Sequence, residues 1–500
     1  MNGIIFFNPR SGQYNRRVPL SILQVAASIH NKYDYVIVDG NFERDPWEKI
    51  ENYIRSGEFS YFACTVMPGP QLKQAIPITK KIKTQYPYII NIWGGYFASN
   101  HSNTSISSGL VDYIIKGPGD HAFPKLLDAL INNADLSDIE NLIFKKDGKI
   151  ISTRKAEIPD QDSLPPLQYE TLGKFYPIRN YIGKTFLGTK TFAYHSSMGC
   201  PFTCAFCGIV PIFNARWKAK SAMNIYTDIM RLKETYDVNA IEFFDNNFFV
   251  SEKRAADFST LIKNKNINWW GESRIDTMSK FSDKTLSLMS EGGCKMIFFG
   301  AESGNDELLN KMDKGGTQSG QQIKSFAARL KNFGIIPEYS FILGFPAESP
   351  QKVMQQIKDD INFIKQIKEI NPSTEIIIYV FSPVPTERSE LLNQSKELGF
   401  KFPANLEEWL EPEWEKFDTH NNPLTPWLTG EMVAMIHNFE TVLNGYFPTV
   451  SDYKLVPLQR RIIRSISTFR YNKNTKPFIT MRKSKIRKIL SNKILDSKSM

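Results

Sequence analysis

The chain has 500 residues, of which 41% are hydrophobic, 23% charged and 13% aromatic. That is the composition of a folded protein with room for about three domains, and it excludes a largely disordered one. The formal net charge of +10 is uneven: from Gln459 onward thirteen Lys and Arg face one acidic residue, Asp496, and the remainder nets −2. Bulk charge therefore gives no support to a nucleic-acid-binding protein.

The longest apolar runs, such as the one ending at Phe381, fall far short of the about 20 residues a membrane-spanning helix needs. The opening MNGIIFFNPR has too short an apolar stretch for a secretory signal and no basic residue ahead of it, so a cytoplasmic location is expected. Over residues 1–135, short apolar strands at 4–7, 35–38, 61–66, 88–93 and 113–115 alternate with helical stretches at 20–30 and 72–84. This spacing predicts a doubly wound parallel sheet. Ligands of such sheets sit beyond the carboxyl ends of the strands. Those ends carry Asn8-Pro9, Asp39-Gly40, the run TVMPGPQ (65–71), Gly94-Gly95-Tyr96 and Lys116–Asp120. Glycine there lets a bulky ligand approach the backbone, although glycines also cap strands in any fold of this kind.

Residues 136–185 read as a linker that contains a hairpin turning at Asp147-Gly148, followed by a proline-rich extended stretch. From about Thr191 a second α/β block begins, with strands at 192–195, 240–244, 268–270, 296–299, 338–343 and 375–381. Six βα repeats predict a separate full or partial barrel over 186–390, with its site at the carboxyl ends of the strands. Residues 391–500 read as a mostly helical region ending in the basic tail.

Directly after the first strand of this block stands MGCPFTCAFCG. Cys200, Cys204 and Cys207 are spaced C-x3-C-x2-C, which can hold three corners of a 4Fe–4S cubane and leave one iron open to a small chelating molecule. A structural zinc site needs a fourth ligand, and the nearest histidine, His195, lies in the preceding strand. Cys64 and Cys294 stand alone and read as buried small hydrophobes.

This motif, with Phe206 as the aromatic before its last cysteine, resembles the radical S-adenosylmethionine (SAM) superfamily over about residues 186–390. The resemblance implies that SAM chelates the open iron and is cleaved by one electron to a 5′-deoxyadenosyl radical that abstracts a hydrogen atom. It also implies an electron donor such as a flavodoxin or ferredoxin. The later strand ends are then the candidate SAM contacts. Asp245, Asn246 and Asn247 follow the second strand, where the family often has Gly-Gly-Glu. Arg274 ends the third strand, near the SAM carboxylate. Glu302 and Ser303 end the fourth, where ribose is held, and Gly344 lies in the fifth-strand motif that lines the adenine. No residue is singled out as catalytic.

The first domain resembles the cobalamin-binding domain that precedes many radical SAM enzymes. Its candidate contacts are Thr65, Val66, Met67, Gly69, Gln71, Gly94, Gly95, Tyr96 and Gly117. The Asp-x-His-x-x-Gly motif of other cobalamin proteins is missing, since His30, His101 and His121 each lack Asp two residues earlier. The expected fold is thus a cobalamin-type doubly wound sheet, then a partial (β/α)6 radical SAM barrel, then a mostly helical C-terminal region.

The resemblance implies methyl transfer through cobalamin to an unactivated carbon. The alternatives are a radical SAM cyclase or rearrangement enzyme without methyl transfer, and a first domain that serves only as an interaction module. A methylthiotransferase acting on transfer RNA is weaker, because such a protein should carry more cysteines in its first domain. Trp269, Trp270, Tyr379 and Phe381 either shape a substrate cavity or belong to the core. The substrate is expected to be a small or lipid-like molecule. In the tail, Leu458, Ile462, Ile463, Ile466 and Phe469 recur at helical spacing among Arg460, Arg461 and Arg464. A second such stretch spans about 482–494. Both read as basic amphipathic helices, open to peripheral membrane association, to packing on the barrel or, less favoured because aromatics for base stacking are few, to binding RNA phosphates.

Overall fold

The computed structural model describes residues 2–12, 16–314, 317–386, 389–416, 424–450, 452 and 455–473. The first sheet has seven strands: β1 (Gly3–Asn8), β2 (Tyr35–Asp39), β3 (Phe59–Thr65), β4 (Ile90–Gly94), β5 (Tyr113–Ile115), β6 (Leu142–Lys146) and β7 (Lys149–Ser152). Their order is β2-β1-β3-β4-β5-β6-β7, parallel through β5 and antiparallel beyond it. Every residue of β1 is buried, as a central parallel strand covered on both faces must be. The strand order reverses between β1 and β3, so a crevice opens at their carboxyl ends.

The linker hairpin is placed differently from the sequence expectation. It is β6–β7, and it joins the first sheet, because Leu142, Ile143 and Phe144 pair with β5 and are buried there. The first structural unit therefore extends past residue 135.

The second block begins with β8 (Thr191–Tyr194). A short ribbon of β9 (Ser197–Gly199) and β10 (Trp217–Ala219) follows, and then come β11 (Ala240–Phe243), β12 (Asn268–Ser273), β13 (Cys294–Glu302), β14 (Ile336–Leu343) and β15 (Glu375–Val380). Apart from the ribbon, these strands are parallel neighbours in chain order, with β8 and β15 at the two edges and Thr191 of β8 bridged to Gly183. The sheet is curled: Trp270 Nε1 on β12 donates to Glu338 Oε2 on β14 at 2.9 Å, reaching across β13. It is a partial barrel, as expected.

Alternation along these strands separates two environments. Ile241, Phe243, Trp269, Ile297, Phe299, Tyr339 and Phe341 are buried under the helices. Phe244, Glu272, Phe298, Ile342, Ile377 and Tyr379, on the other face, are only half-buried. The concave face keeps some accessible surface inside the barrel.

The C-terminal region clamps the two sheets together. Trp427 Nε1 donates to the carbonyl of Gly344 at 2.9 Å, and Lys73 pairs with Glu415. Trp409, 2% exposed, meets Phe97 edge-on at 5.0 Å. A half-exposed ion pair is worth at most about 1 kcal/mol, whereas burying an indole contributes about 4 kcal/mol by area. The clamp is chiefly apolar.

His101 sits inside that clamp, stacked on Phe97 at 4.9 Å and edge-on to Phe402 and Trp409. Burial drives its pKa down from 6.5 to about 4. The native ring stays neutral where the unfolded ring takes a proton, so stability is complete above about pH 6.5 and is lost as pH falls toward 4. The expected loss is about 3 kcal/mol. Urea unfolding at pH 7 and pH 5 should show this slope for the native chain and a clearly flatter one for His101→Leu; parallel slopes would contradict it.

Candidate active site

Gly199 closes β9 with φ +79°, and a Cβ there would stand 2.2 Å from the carbonyl of Arg216. Only glycine fits, and the chain turns at once into the cysteine loop. Backbone and side chains brace this loop: Cys207 N–H donates to Cys204 O at 3.1 Å, Ala205 N–H to Met312 O at 3.0 Å, and Ser389 Oγ to Ala205 O at 2.7 Å. Burial raises the pKa of all three thiols, that of Cys207 to about 12.

Two cations act against burial at Cys204. Arg274 Nη1 lies 2.8 Å from Cys204 Sγ, its Nε and Nη2 bind Asp276 at 2.9 and 2.7 Å, and its guanidinium lies 4.0 Å over the Phe202 ring. Lys314 Nζ, 5.5 Å over the Phe206 ring, pairs with Glu302 at 2.7 Å. Buried thiols flanked by cations suit a negatively charged thiolate–metal group. No three His, Cys, Asp or Glu among the described residues converge on a single metal ion; a cubane does not ask them to, because each cysteine binds a different iron.

Asn247 also belongs to this neighbourhood. Its Nδ2 lies 4.0 Å from Cys200 Sγ, and its buried Oδ1 has no hydrogen-bond partner among the described residues. A buried orphan carbonyl beside the loop is the mark of a missing donor. The structure thus brings together Cys200, Cys204, Cys207, Phe206, Asn247 and Arg274, with Glu302 one step behind Lys314.

Three expected SAM contacts spend their polar groups on the protein. Asp245 is fully buried and accepts from Ser196 N–H and Oγ at 2.7 Å each, from Ser197 Oγ at 3.0 Å and from the Ser197 N–H. It knits the second strand end to the start of the cysteine loop. Ser303 Oγ donates to Asp360 at 2.8 Å, and Gly344, at φ +83°, is roofed by Trp427 and Leu428. Asn246 faces elsewhere, into the chamber described next.

Between the strand ends of the first sheet and the barrel lies a cavity of ≈ 600 Å³. Thr65, Met67, Gln71, Gly94, Gly95, Tyr96 and Gly117 all line it, as the sequence predicts. Val66 does not; it is fully buried and its N–H bonds to Gly94 O at 3.1 Å. Gly69 does not either, since a Cβ there would press on Glu415 O at 2.9 Å. At Gly94 the nearest atom to an added Cβ is 3.8 Å away, so open space adjoins that backbone. Tyr96 lies against Gly208 of the cysteine loop, where a Cβ would stand 1.8 Å from its hydroxyl, and Asn100 Nδ2 donates to Gly208 O at 3.0 Å. Chamber and cysteine loop share this wall.

Two further residues of the strand-end loops line the chamber. Among the described residues neither carboxylate oxygen of Asp120, 2% exposed, completes a hydrogen bond, although Gln24 lies near. Burial raises its pKa. Its signal was its place in the β5 end loop. His195, at the end of β8, lines the chamber from the barrel side; it was weighed only as a zinc ligand.

Comparison with known proteins agrees with this geometry. Residues 194–359 match the Radical SAM superfamily. An uncharacterized methyltransferase of Pyrococcus horikoshii is 29% identical over 344 residues, covering 68% of this chain and 72% of that protein. The anaerobic magnesium-protoporphyrin IX monomethyl ester cyclase of Synechocystis is 25% identical over 307 residues, 61% of this chain and 58% of that one. Among solved structures, the radical SAM methyltransferase TsrM of Kitasatospora setae, with cobalamin and a 4Fe–4S cluster bound, aligns at TM-score 0.69 and 15% identity. The alignment covers 94% of this chain and all of that one. The cobalamin-dependent radical SAM enzyme OxsB, with aqua-cobalamin and SAM bound, aligns at 0.71 and 14% identity over 100% of this chain and 76% of that one. Residues 194–359 are thus a Radical SAM domain, and the fold of the chain is the one these cobalamin-dependent enzymes share.

Replacing Asp245 by Ala leaves four buried donors without their acceptor, and should cost about 3 kcal/mol in urea unfolding. A variant of unchanged stability but weaker SAM binding would make Asp245 a ligand contact instead.

Proposed function

We propose that the chain uses a 4Fe–4S cluster, SAM and cobalamin to methylate an unactivated carbon of a small-molecule substrate. The observation that carries this reading is the shared wall: the cavity at the first sheet's switch point abuts the cysteine loop through Tyr96 and Gly208. Methyltransferases stand among the relatives and the structural neighbours alike. When bound, the cluster with SAM supplies hydrogen-atom abstraction and the cobalamin supplies the methyl group.

The roles of the chain's own residues follow from their surroundings. Cys200, Cys204 and Cys207 are the cluster ligands, and Arg274 and Lys314 keep the Cys204 thiolate compensated in a dry site. Asn247 offers its free carbonyl oxygen to the SAM amine. The backbone at Gly94 and Gly95 gives a broad flat cofactor room to approach, and Asp120 accepts a hydrogen bond from its amide rim. The apolar clamp around Trp409 keeps water out. The similarity to a ring cyclase supports a second reading, radical chemistry without methyl transfer.

Anaerobic reconstitution should yield about four irons and four sulfides per chain and turnover of SAM to 5′-deoxyadenosine. Cys204→Ala should abolish that turnover; undiminished product would overturn the cluster assignment. Gly94→Leu fills open space at a backbone (φ −141°) that tolerates a side chain, and should cut co-purified cobalamin at least tenfold. Equal cobalamin in both proteins would place the corrin elsewhere.

We further infer contact with anionic membranes through the helix Pro457–Lys473. Its inner side packs on the helix Gly430–Tyr446, with Ile463 5% exposed and Tyr446 stacked on Tyr471 at 4.4 Å. Leu458, Ile462 and Phe469 remain 67%, 44% and 56% exposed, beside Arg460, Arg461 and Arg464. The second basic stretch of the tail lies outside the described residues. No helix among the described residues is long and apolar enough to cross a membrane. Sedimentation with anionic liposomes at low salt should fall sharply when Leu458, Ile462 and Phe469 are changed to Ser. Unchanged sedimentation would exclude the helix as a membrane contact.

A further inference from the structure

The concave face of the barrel is acidic and aromatic at once. Glu242 on β11 pairs in register with Trp270 on β12; Glu272 pairs with Phe298 on β13, and Phe298 with Glu338 on β14. Their alternate neighbours Ile241, Phe243, Trp269, Ile297, Phe299 and Tyr339 pack under the helices, so these three carboxyls face the concave side. The Trp270 ring lies 5.7 Å from Phe244 and 6.4 Å from Phe298.

The three acids are not used up by the fold. Glu338, 5% exposed, accepts only the Trp270 N–H among the described residues. Glu242 is 8% exposed, and among the described residues it accepts no hydrogen bond. Its charge partner is Arg17, which comes from the first domain and also faces Glu272. The Arg17 guanidinium lies 4.1 Å over the Phe244 ring at the chamber edge. The chain thus already seats one of its own cations in the mouth of this space, against an aromatic face and two carboxyls.

We propose that the interior of the barrel binds a substrate through a cationic group, an alkylammonium or guanidinium, received by Glu242, Glu272 and Glu338 beside the packed rings of Phe244, Trp270 and Phe298. The proposal rests on the reading of the barrel as the seat of the reaction.

The physical argument is one of compensation. Among the described residues a single guanidinium faces the three carboxyls, and burial pushes Glu272 and Glu338 up to about 8, so that for want of a counter-charge they hold their protons at neutral pH. An entering cation supplies the missing counter-charge, and ring faces add cation–π attraction in a dry setting. A lipid or apolar ring would instead leave buried carboxyls without partners, which is costly. An anion would leave these carboxyls protonated and gain no counter-charge from them. The lipid-like substrate expected from sequence is therefore the disfavoured class.

The test uses the full-length, anaerobically reconstituted protein. Calorimetry at pH 8 compares butylamine and butylguanidine with neutral 1-pentanol and anionic valerate. The two cations should bind at one site per chain at least tenfold more tightly than the neutral and anionic probes. The double variant Glu242→Gln, Glu272→Gln should lose at least tenfold of the cation affinity and little of the pentanol affinity. Equal or weaker binding of the cations, or cation binding untouched in a folded double variant, would overturn the proposal. If that variant does not fold, the probe series on the native chain decides alone. Formation of 5′-deoxyadenosine is measured on the same native sample: its absence sinks the parent reading, whereas its presence without cation preference sinks only this proposal.

Discussion

Tyr96 lies against the cysteine loop only because position 208 has no side chain, and the rest of the arrangement depends on that contact. It fixes the chamber of the first sheet beside the cysteine loop, although the two stand on separate sheets. Asn100 pins the same glycine through its carbonyl. The aromatic clamp around Trp409, Phe97 and His101 then holds the first domain in place from the far side. Apolar area supplies most of the holding energy, and the glycine supplies the distance. A radical intermediate and a methyl carrier both call for such a closed, rigid junction, because water or a misplaced carbon would divert the chemistry.

Electrostatics sets the character of the two halves of the site. Around the thiols, burial is offset by Arg274 and Lys314, each itself anchored by a carboxylate, Asp276 and Glu302. Within the barrel the balance runs the other way, with carboxyls in excess over Arg17. One site is built to hold anionic ligands of a metal group, and the other is short of positive charge. The same strands serve both, since their carboxyl ends carry the first and their concave faces the second.

Much of this was legible in the sequence. Hydrophobic alternation marked the strands of both sheets, and the cysteine spacing located the reactive loop. Seven of the nine residues expected at the cobalamin site line the chamber, because strand-end loops of a doubly wound sheet converge on one crevice. What stayed hidden depended on partners distant in the chain. Asp245 looks like a ligand from its position and turns out to tie down Ser196 and Ser197. Gly344 looks like an adenine platform and lies under Trp427, a residue of the C-terminal region. The hairpin at Asp147-Gly148 gave no sign that its apolar half would complete the first sheet. Of the four aromatics weighed for a cavity, Trp270 and Tyr379 face the concave side, whereas Trp269 stacks on Phe249 and Phe381 packs on Phe345. The period of two separates them only once the curl of the sheet is known.

The contact between chamber and cysteine loop is tested most directly by electron paramagnetic resonance of protein carrying both Co(II) cobalamin and the iron–sulfur cluster. Two paramagnetic centres across a single protein wall relax one another. Reduction of the cluster should therefore shorten the relaxation time of the Co(II) signal and broaden it. A Co(II) signal with the same relaxation before and after cluster reduction would contradict the shared wall and, with it, the coupling of the two halves of the site.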